Sequence, residues 1–232
     1  NLRFFVGGGA LLDIELQRYY AALGIPMFQG YGLSEASPVI SSNTPGRYRF
    51  GSSGILVKPI DLKVCDEEGQ ELPQGQKGEL WIKGGNVMAG YWRNEKSTAE
   101  TIVDGWLHTG DICNVDSDGF IYIRGRNKNM ILGPSGQNIY PEEIEQKLNN
   151  LPYVNESIVI ERDGKIIALV HPDYDLAQSQ GLTDDDIKKQ MDDNIAALNK
   201  EIPAYSQVAA VEIHEEEFEK TPKRSIRRFL YK

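Results

Sequence analysis

Apolar and polar positions along the first fifty residues predict a strand, a glycine turn and a helix. Residues 2–6 are mostly apolar, and the run Gly-Gly-Gly-Ala follows at 7–10. Apolar side chains then recur at mixed helical spacing at Leu11, Leu12, Ile14, Leu16 and Tyr19. A second short strand is predicted at 26–29, leading into a glycine loop. This order of elements is typical of an α/β unit.

From residue 51 to about 124 the hydrophobic runs become shorter and more closely spaced. Short strands that alternate with glycine-containing turns predict a small β-barrel or sandwich. One helical turn is expected within this region, over 96–102, with Asn94 as its cap. The predicted strands are at 60–64, 78–83 and 120–123.

The remaining residues predict a separate α+β domain that begins near residues 126–128. Pro141 opens a helix with acidic residues in its first turn, where the helix dipole favours them. A second helix begins after Thr183, and its predicted inner face consists of Ile187, Met191, Ile195 and Leu198. Strands are predicted at 154–161, 165–171 and 207–213. At about 105 residues, this segment has the usual size of a domain.

Composition narrows the classes of function. The 232 residues carry a formal net charge of −9, which argues against nucleic acid as the main partner. The two cysteines, Cys65 and Cys113, form no disulfide framework and no metal-ligand spacing, which fits a reducing, cytoplasmic compartment. No apolar run is long enough for a transmembrane segment. The chain lacks an initiator Met, so we expect it to be the C-terminal part of a longer protein.

The glycine run is the first candidate site. Between a strand and a helix, Gly8, Gly9 and Ala10 would present backbone N–H groups at a helix N-terminus, where anions bind. A tight strand-to-helix turn would explain the same residues, because glycine tolerates unusual backbone conformations. The spacing is not the G-x-G-x-x-G of a dinucleotide-binding loop.

The hexapeptide at 30–35, GYGLSE, is more specific. Gly30 and Gly32 leave the ring of Tyr31 free to stack on a base. Ser34 offers a hydroxyl group to a phosphate, and Glu35 offers carboxylate oxygens to Mg²⁺. In isolation, the same six residues could also form an ordinary hairpin turn.

Two further candidate residues, Asp111 and Arg126, lie in short motifs later in the chain. Asp111 ends the run WLHTGD, and its two oxygens match the two hydroxyls of a ribose, although turn carboxylates are also common. Arg126 lies in the run RGRNK that follows. In this order, the motifs resemble those of the adenylate-forming enzymes, which include acyl-CoA synthetases, adenylation domains of peptide synthetases and luciferases. The resemblance covers nearly the whole chain.

The resemblance implies an α/β plus α+β architecture in three segments. Residues 1–50 would be the C-terminal part of an α/β nucleotide-binding subdomain within the large domain. Residues 51–126 would form a β-barrel-like subdomain. Residues 127–232 would form a mobile C-terminal α+β domain with its hinge near 128.

The resemblance also implies a role for each candidate residue of the first two segments. Residues 8–10 would line the acyl-adenylate pocket, and the glycines around Tyr31 would let its ring pack on adenine. The Ser34 hydroxyl would contact the α-phosphate, and Glu35 would hold Mg²⁺. Asp111 and Arg126 would contact the ribose.

In the C-terminal segment, the resemblance makes Lys128 the hinge of the mobile domain and places Gly136 beside the pantetheine arm of CoA. A mobile domain would let one site carry out two reactions in turn. One site must first join a carboxylate to ATP and then admit a thiol.

The C-terminal tail departs from the family pattern. Family members place a lysine here that contacts the carboxylate and the α-phosphate during adenylation, and Ser225 occupies that position. Serine cannot supply the positive charge. Lys223 is the candidate for the missing catalytic lysine, and Arg224 is an alternative. Weak adenylation, or a solvated basic tail, would also fit.

The residues at 28–38 and the tail look most like those of long-chain fatty acyl-CoA synthetases. Such an enzyme converts a fatty acid and Mg·ATP to acyl-AMP and pyrophosphate, and CoA then displaces AMP. Two alternatives stay open: a relative that binds AMP or acyl-AMP without adenylating, and a ligase that uses an acyl-carrier protein. The family's phosphate loop would lie upstream, so this chain alone is expected to be inactive. Long-chain substrates also leave peripheral membrane association open.

Overall fold

The computed structural model describes residues 2–134, 136–222 and 224–231. Its internal contacts divide the chain into two compact units, Asn1–Lys128 and Asn129–Lys232. The predicted segments 1–50 and 51–126 both fall in the first unit, and a further division at residue 50 remains a prediction.

The first unit contains two β-sheets and two helices. Its strands are β1 (Phe5–Gly7), β2 (Met27–Gly32), β3 (Val39–Ser42), β4 (Ile55–Leu56), β5 (Ile60–Cys65), β6 (Gly78–Gly84), β7 (Ile102–Val103), β8 (Trp106–Val115) and β9 (Ile121–Arg126). Its helices are α1 (Ile14–Ala22) and α2 (Glu95–Thr101). The order β1-β2-β3-β4 makes one sheet, in which β1 is parallel to β2 and the other pairs are antiparallel.

Strands β5 to β9 form an antiparallel sheet that is centred on β8. Strand β6 pairs with one edge of β8, and β7 and β9 pair with the two ends of its other edge. Because alternate residues of a strand face the same side, Leu80, Ile82 and Leu107 share a core with Ile40 of the first sheet. This common core fixes the end of β2 relative to β8. The predicted barrel-like closure of the sheet remains a prediction.

One local prediction for the first unit was wrong, and one burial pattern was not foreseen. The glycine loop expected at 30–32 is the end of β2, because Gly30 and Tyr31 pair with Ser42 and Ser41 of β3. In α1, Leu16 and Tyr19 are exposed, whereas Gln17 is buried and donates its amide to the carbonyl of Leu12 at 2.9 Å. Hydrophobic periodicity could not find a buried side chain whose role is a hydrogen bond.

The described residues of the second unit form a two-stranded sheet and a three-stranded sheet with helices packed against it. Its strands are β10 (Ile131–Leu132), β11 (Asn138–Ile139), β12 (Val154–Arg162), β13 (Lys165–Pro172) and β14 (Ala210–Ile213). Its helices are α3 (Pro141–Leu148), α4 (Tyr174–Ser179) and α5 (Asp184–Glu201). The two-stranded sheet pairs β10 with β11. The three-stranded sheet has the order β12-β13-β14, with β13 antiparallel to β12 and parallel to β14.

The second unit has an apolar cluster on each face of its three-stranded sheet. On one face, Val159 packs with Leu148 of α3 and Leu198 of α5. On the other face, Ile158 packs with Phe218 of the C-terminal segment. Helix α5 has the predicted cap, a capping box between Thr183 and Asp186. Among the helices of the described residues, none is long and apolar enough to cross a membrane.

Candidate functional site

Asp111 is the centre of the candidate site in the first unit. It lies in β8 and is 3% exposed. The hydroxyl of Tyr31, in β2, donates to Asp111 Oδ2 at 2.6 Å. Nε of Arg126 lies 2.7 Å from Asp111 Oδ1, because β9 pairs Arg126 directly with Asp111. The structure therefore brings together three of the predicted nucleotide-binding residues.

The electrostatics of this cluster favour a fixed carboxylate beside a neutral phenol. Burial raises the pKa of Tyr31 well above its ordinary 10.0, and the charge of Asp111 raises it further. Tyr31 therefore remains protonated and donates its hydrogen. Arg126 keeps 47% of its side-chain surface exposed, whereas the Asp111 side chain keeps 5%. The cluster is thus buried on the carboxylate side and open on the guanidinium side.

A bulge in β8 directs Asp111 into the cluster. The pairing of β6 with β8 shifts register between Glu79 and Trp81, opposite the run His-Thr-Gly-Asp. Gly110 has a φ of +69°, a backbone conformation that favours glycine, and its N–H donates to Glu79 Oε1 at 2.8 Å. Thr109 donates its hydroxyl to the carbonyl of Leu80 at 2.7 Å. The run His-Thr-Gly-Asp therefore forms a bulge in β8, and this bulge directs the Asp111 side chain into the cluster.

The glycine run lies beside β2. A Cβ atom at Gly8 would lie 3.7 Å from the carbonyl oxygen of Gly30. Gln29, which is 2% exposed, accepts the N–H of Leu12 at 2.9 Å and donates to Ser53 Oγ at 3.0 Å. This buried amide ties Leu12, shortly after the exposed run Gly8-Gly9-Ala10, to the sheet. The sequence contained no signal that distinguished Gln29 from a surface residue.

The helix N-terminus expected at the glycine run is not formed there. Helix α1 begins at Ile14, and its N-cap is Asp13, whose carboxylate accepts the N–H of Leu16 at 2.7 Å. The helix starts beyond the glycine run, and the Asp13 carboxylate already accepts one N–H of its first turn. Any role of Gly8, Gly9 and Ala10 in binding therefore depends on their own backbone.

Ser34 and Glu35 lie in a 3-10 turn, Ser34–Ala36, that directly follows β2. Gly32 is required there, because a Cβ atom would lie 1.8 Å from the carbonyl oxygen of Pro38. Ser34 is exposed and Glu35 is half-buried. The hydroxyl of Tyr91 donates to Glu35 Oε1 at 3.0 Å. The sequence interpretation did not identify Tyr91.

A single carboxylate such as Glu35 suits Mg²⁺ bound together with a nucleotide. Magnesium takes oxygen ligands and is commonly held by one or two carboxylates plus substrate phosphates. Glu35 Oε2 takes no hydrogen bond or ion pair from the described residues, so one oxygen is available. Within residues 2–134, 136–222 and 224–231, no group of three or more His, Cys, Asp or Glu side chains could hold a metal alone.

The remaining candidate residues lie around and within the second unit. Lys128 is exposed and is the last residue of the first unit. Gly136 lies in the turn between β10 and β11 with a φ of +79°. Lys223 lies outside the described residues. Ser225 is exposed, and its carbonyl accepts the N–H of Thr221 at 2.8 Å in a tight turn of the tail.

Two family models match this chain. AMP-binding enzyme matches residues 1–92, and AMP-binding enzyme C-terminal domain matches residues 128–231. Together they span most of the sequence, and the chain belongs to the AMP-binding, adenylate-forming enzymes. The predicted resemblance is confirmed.

Individual relatives are acid–CoA ligases of several kinds. A long-chain-fatty-acid–CoA ligase from Yersinia pestis is 41% identical over 162 residues, which are 69% of this chain and 29% of that protein. A feruloyl-CoA synthase from Amycolatopsis sp is 38% identical over 162 residues, 69% of this chain and 33% of that protein. The anthranilate CoA ligase AuaEII, solved with anthranoyl-AMP, has a TM-score of 0.84 at 28% identity, covering 98% of this chain and 42% of that one. The chain thus matches about a third of the length of these curated relatives.

Proposed function

We propose that this chain supplies the adenine, ribose and hinge elements of an AMP-forming acid–CoA ligase for long-chain fatty acids. The observation that carries the proposal is the cluster of Tyr31, Asp111 and Arg126. The Asp111 carboxylate offers two oxygens on one group, which match the two hydroxyls of a ribose. The nucleotide would approach from the side of Arg126, whose guanidinium is half exposed.

In the first half-reaction, an oxygen of the fatty acid carboxylate attacks the α-phosphorus of ATP, and pyrophosphate leaves. The ring of Tyr31 would contact adenine, and Ser34 would donate its hydroxyl to the α-phosphate. Magnesium bound with ATP would neutralise phosphate charge, and Glu35 would hold it through an oxygen. In the second half-reaction, the CoA sulfur attacks the acyl carbonyl carbon, and AMP leaves.

The division after Lys128 supports a two-state use of the second unit. Residues on both sides of this position form compact units with their own cores. Rotation of the second unit about Lys128 would change which of its segments serves the reaction. The tail around Ser225 would serve adenylation, and the β10–β11 loop with Gly136 would serve the reaction with CoA. The missing phosphate loop and most of the acyl pocket would come from the remaining length seen in the relatives, so this chain alone would not form acyl-AMP.

The test is carboxylate-dependent ATP–pyrophosphate exchange by the full-length protein, with palmitate, ferulate and anthranilate compared. Exchange that is fastest with palmitate, followed by palmitoyl-CoA formation, is the expected result. Fastest exchange with an aromatic acid would overturn the fatty-acid assignment. If an acyl-carrier protein accepted the acyl group faster than CoA, the CoA assignment would be overturned. If none of the acids supported ATP–pyrophosphate exchange, adenylation itself would be overturned.

One observation favours a second candidate, a relative that binds AMP or acyl-AMP but does not adenylate. The family position for the lysine is held by Ser225, a neutral residue in an exposed turn. Nucleotide binding without exchange, together with exchange gained in Ser225→Lys, would support this candidate. Exchange that collapses in Lys223→Ala would instead identify a displaced lysine and a working ligase.

A further inference from the structure

The loop between β6 and α2 is attached to the turn that carries Glu35. The amide Nδ2 of Asn86 donates to the carbonyl of Ala36 at 2.9 Å. The N–H of Met88 donates to the carbonyl of Glu35 at 2.8 Å. The hydroxyl of Tyr91 adds the contact with the Glu35 carboxylate. Two of these bonds fix the backbone of the turn, and only the Tyr91 bond fixes the carboxylate itself.

Tyr91 is itself held on both sides of its Cα. Its N–H donates to Thr98 Oγ1 at 2.9 Å, and its carbonyl accepts the N–H of Asn94 at 3.2 Å. Asn94 caps α2 by accepting the N–H of Ser97 at 3.0 Å. Gly90, with a φ of +147°, permits the close approach, because a Cβ atom there would lie 2.7 Å from Thr98 Cγ2. The start of α2 therefore fixes the backbone from which the Tyr91 side chain extends toward Glu35.

We propose that Tyr91 is a positioning residue that holds the Glu35 carboxylate by Oε1 and so presents Oε2 to the magnesium of bound Mg·ATP. This inference rests on the proposed function. A glutamate on a short turn has three rotatable side-chain bonds, and a hydrogen bond to one oxygen restricts the directions in which the other can point. Partners of this kind orient the ligand without touching the metal, and their loss typically weakens metal binding about 10- to 100-fold.

The test compares Tyr91→Phe with the unaltered full-length protein. The matched control is Tyr122→Phe, which removes a hydroxyl bonded to Asp116 at 3.2 Å in the same unit. Mn²⁺ binding to the protein–ATP complex is followed by electron paramagnetic resonance, and ATP affinity is measured with Mg²⁺ and with EDTA. We expect Tyr91→Phe to weaken Mn²⁺ binding about 10-fold, at the lower end of the usual range because the contact is exposed. ATP affinity in EDTA and the melting temperature should not change, and Tyr122→Phe should match the unaltered protein.

Three outcomes would overturn the inference. Mn²⁺ binding in Tyr91→Phe could equal that of the unaltered protein. ATP affinity could fall equally with Mg²⁺ and with EDTA, which would indicate a general structural role. The effect of Tyr91→Phe could persist in a Glu35→Gln background, where no carboxylate remains to be positioned. An unaltered protein that binds no ATP would instead overturn the proposed function, and the inference with it.

Discussion

Each unit buries one carboxylate against an arginine, and the two pairs differ in how completely they are closed. In the second unit, Arg228 and Glu145 form two parallel bonds of 2.6 Å, and their side chains are 14% and 10% exposed. The N–H of Val159 also donates to Glu145 at 2.6 Å. In the first unit, Nε of Arg126 lies 2.7 Å from Asp111 Oδ1, and Arg126 remains about half exposed.

We propose that this difference separates a structural pair, Glu145 and Arg228, from a binding pair, Asp111 and Arg126. Glu145 lies on α3 and Arg228 near the chain's end, so the closed pair fastens the tail to the core of the second unit. All the strong donors that face Glu145 are protein groups, and the bidentate geometry leaves little room for a ligand. Asp111 is equally buried, but one of its partners faces solvent. Burial of a carboxylate therefore identifies neither role until the exposure of its partner is known.

The largest effect is expected from Arg228→Met. This change leaves the charge of Glu145 buried and unpaired, which typically costs about 3–5 kcal/mol. Hydrogen exchange of the α3 and β12 amides in the full-length protein should accelerate accordingly, with the amides of β8 unchanged. Unaltered protection of α3 would contradict the structural role of the pair.

Next in size is Asp111→Asn, which keeps the shape of the side chain and removes its charge. Hydrogen bonds to charged groups contribute about 1.5–3 kcal/mol, so ATP affinity should fall about 10- to 100-fold. Asp116→Asn is the control, because Asp116 pairs with Arg49 on the surface instead of with Tyr31. Equal losses in the two variants would remove the distinction between a binding pair and a structural pair.

A double replacement sharpens the comparison. Glu145→Leu combined with Arg228→Met should recover most of the stability that the single change loses, to within about 1 kcal/mol of the unaltered protein, because apolar residues often replace a buried pair without cost. Asp111→Leu combined with Arg126→Met should fail to restore ATP binding, whatever its stability. Hydrogen exchange measures the stability of the first double variant, and calorimetric titration measures ATP binding by the second. ATP binding restored in the second double variant would contradict the comparison.

The smallest expected effect is a pH dependence confined to the first unit. His108, stacked on Trp81 with ring centroids 3.6 Å apart, has its pKa lowered from 6.5 by burial, and Glu79 opposes the shift only in part. The folded state thus favours the neutral ring. Its contribution to stability is present above pH 6.5 and is lost as pH falls through the lowered folded-state pKa. Melting curves between pH 7.5 and 5 should show this slope, and His108→Phe should flatten it. A slope that persists in His108→Phe would assign the dependence to another group.

Local chemistry made part of the fold predictable. Asn94 and Thr183 cap α2 and α5 as expected, since capping depends on a few neighbouring residues. Strand pairing depends on distant residues, so the extension of β2 through its glycines and the bulge in β8 could not be foreseen.

Only those residues of the candidate site that belong to a family motif could be predicted. Tyr31, Asp111 and Arg126 were found because their motifs resemble those of a family. The residues that hold the site in place, Gln29 and Tyr91, act through side-chain hydrogen bonds to partners that are distant in the sequence. A lone glutamine or tyrosine has no sequence pattern that would reveal such a contact.

The contact between Tyr31 and Asp111 spans 80 positions of the sequence. A ribosome that adds about 5–20 residues per second needs about 4–16 s to cover that interval. During this time, each growing chain has already made β2 and its tyrosine, while the acceptor for the hydroxyl has not been synthesised. The tie between Gln29 and Ser53 spans only 24 positions and can form several seconds earlier. A nascent chain can therefore form the contact between Gln29 and Ser53 well before the contact between Tyr31 and Asp111.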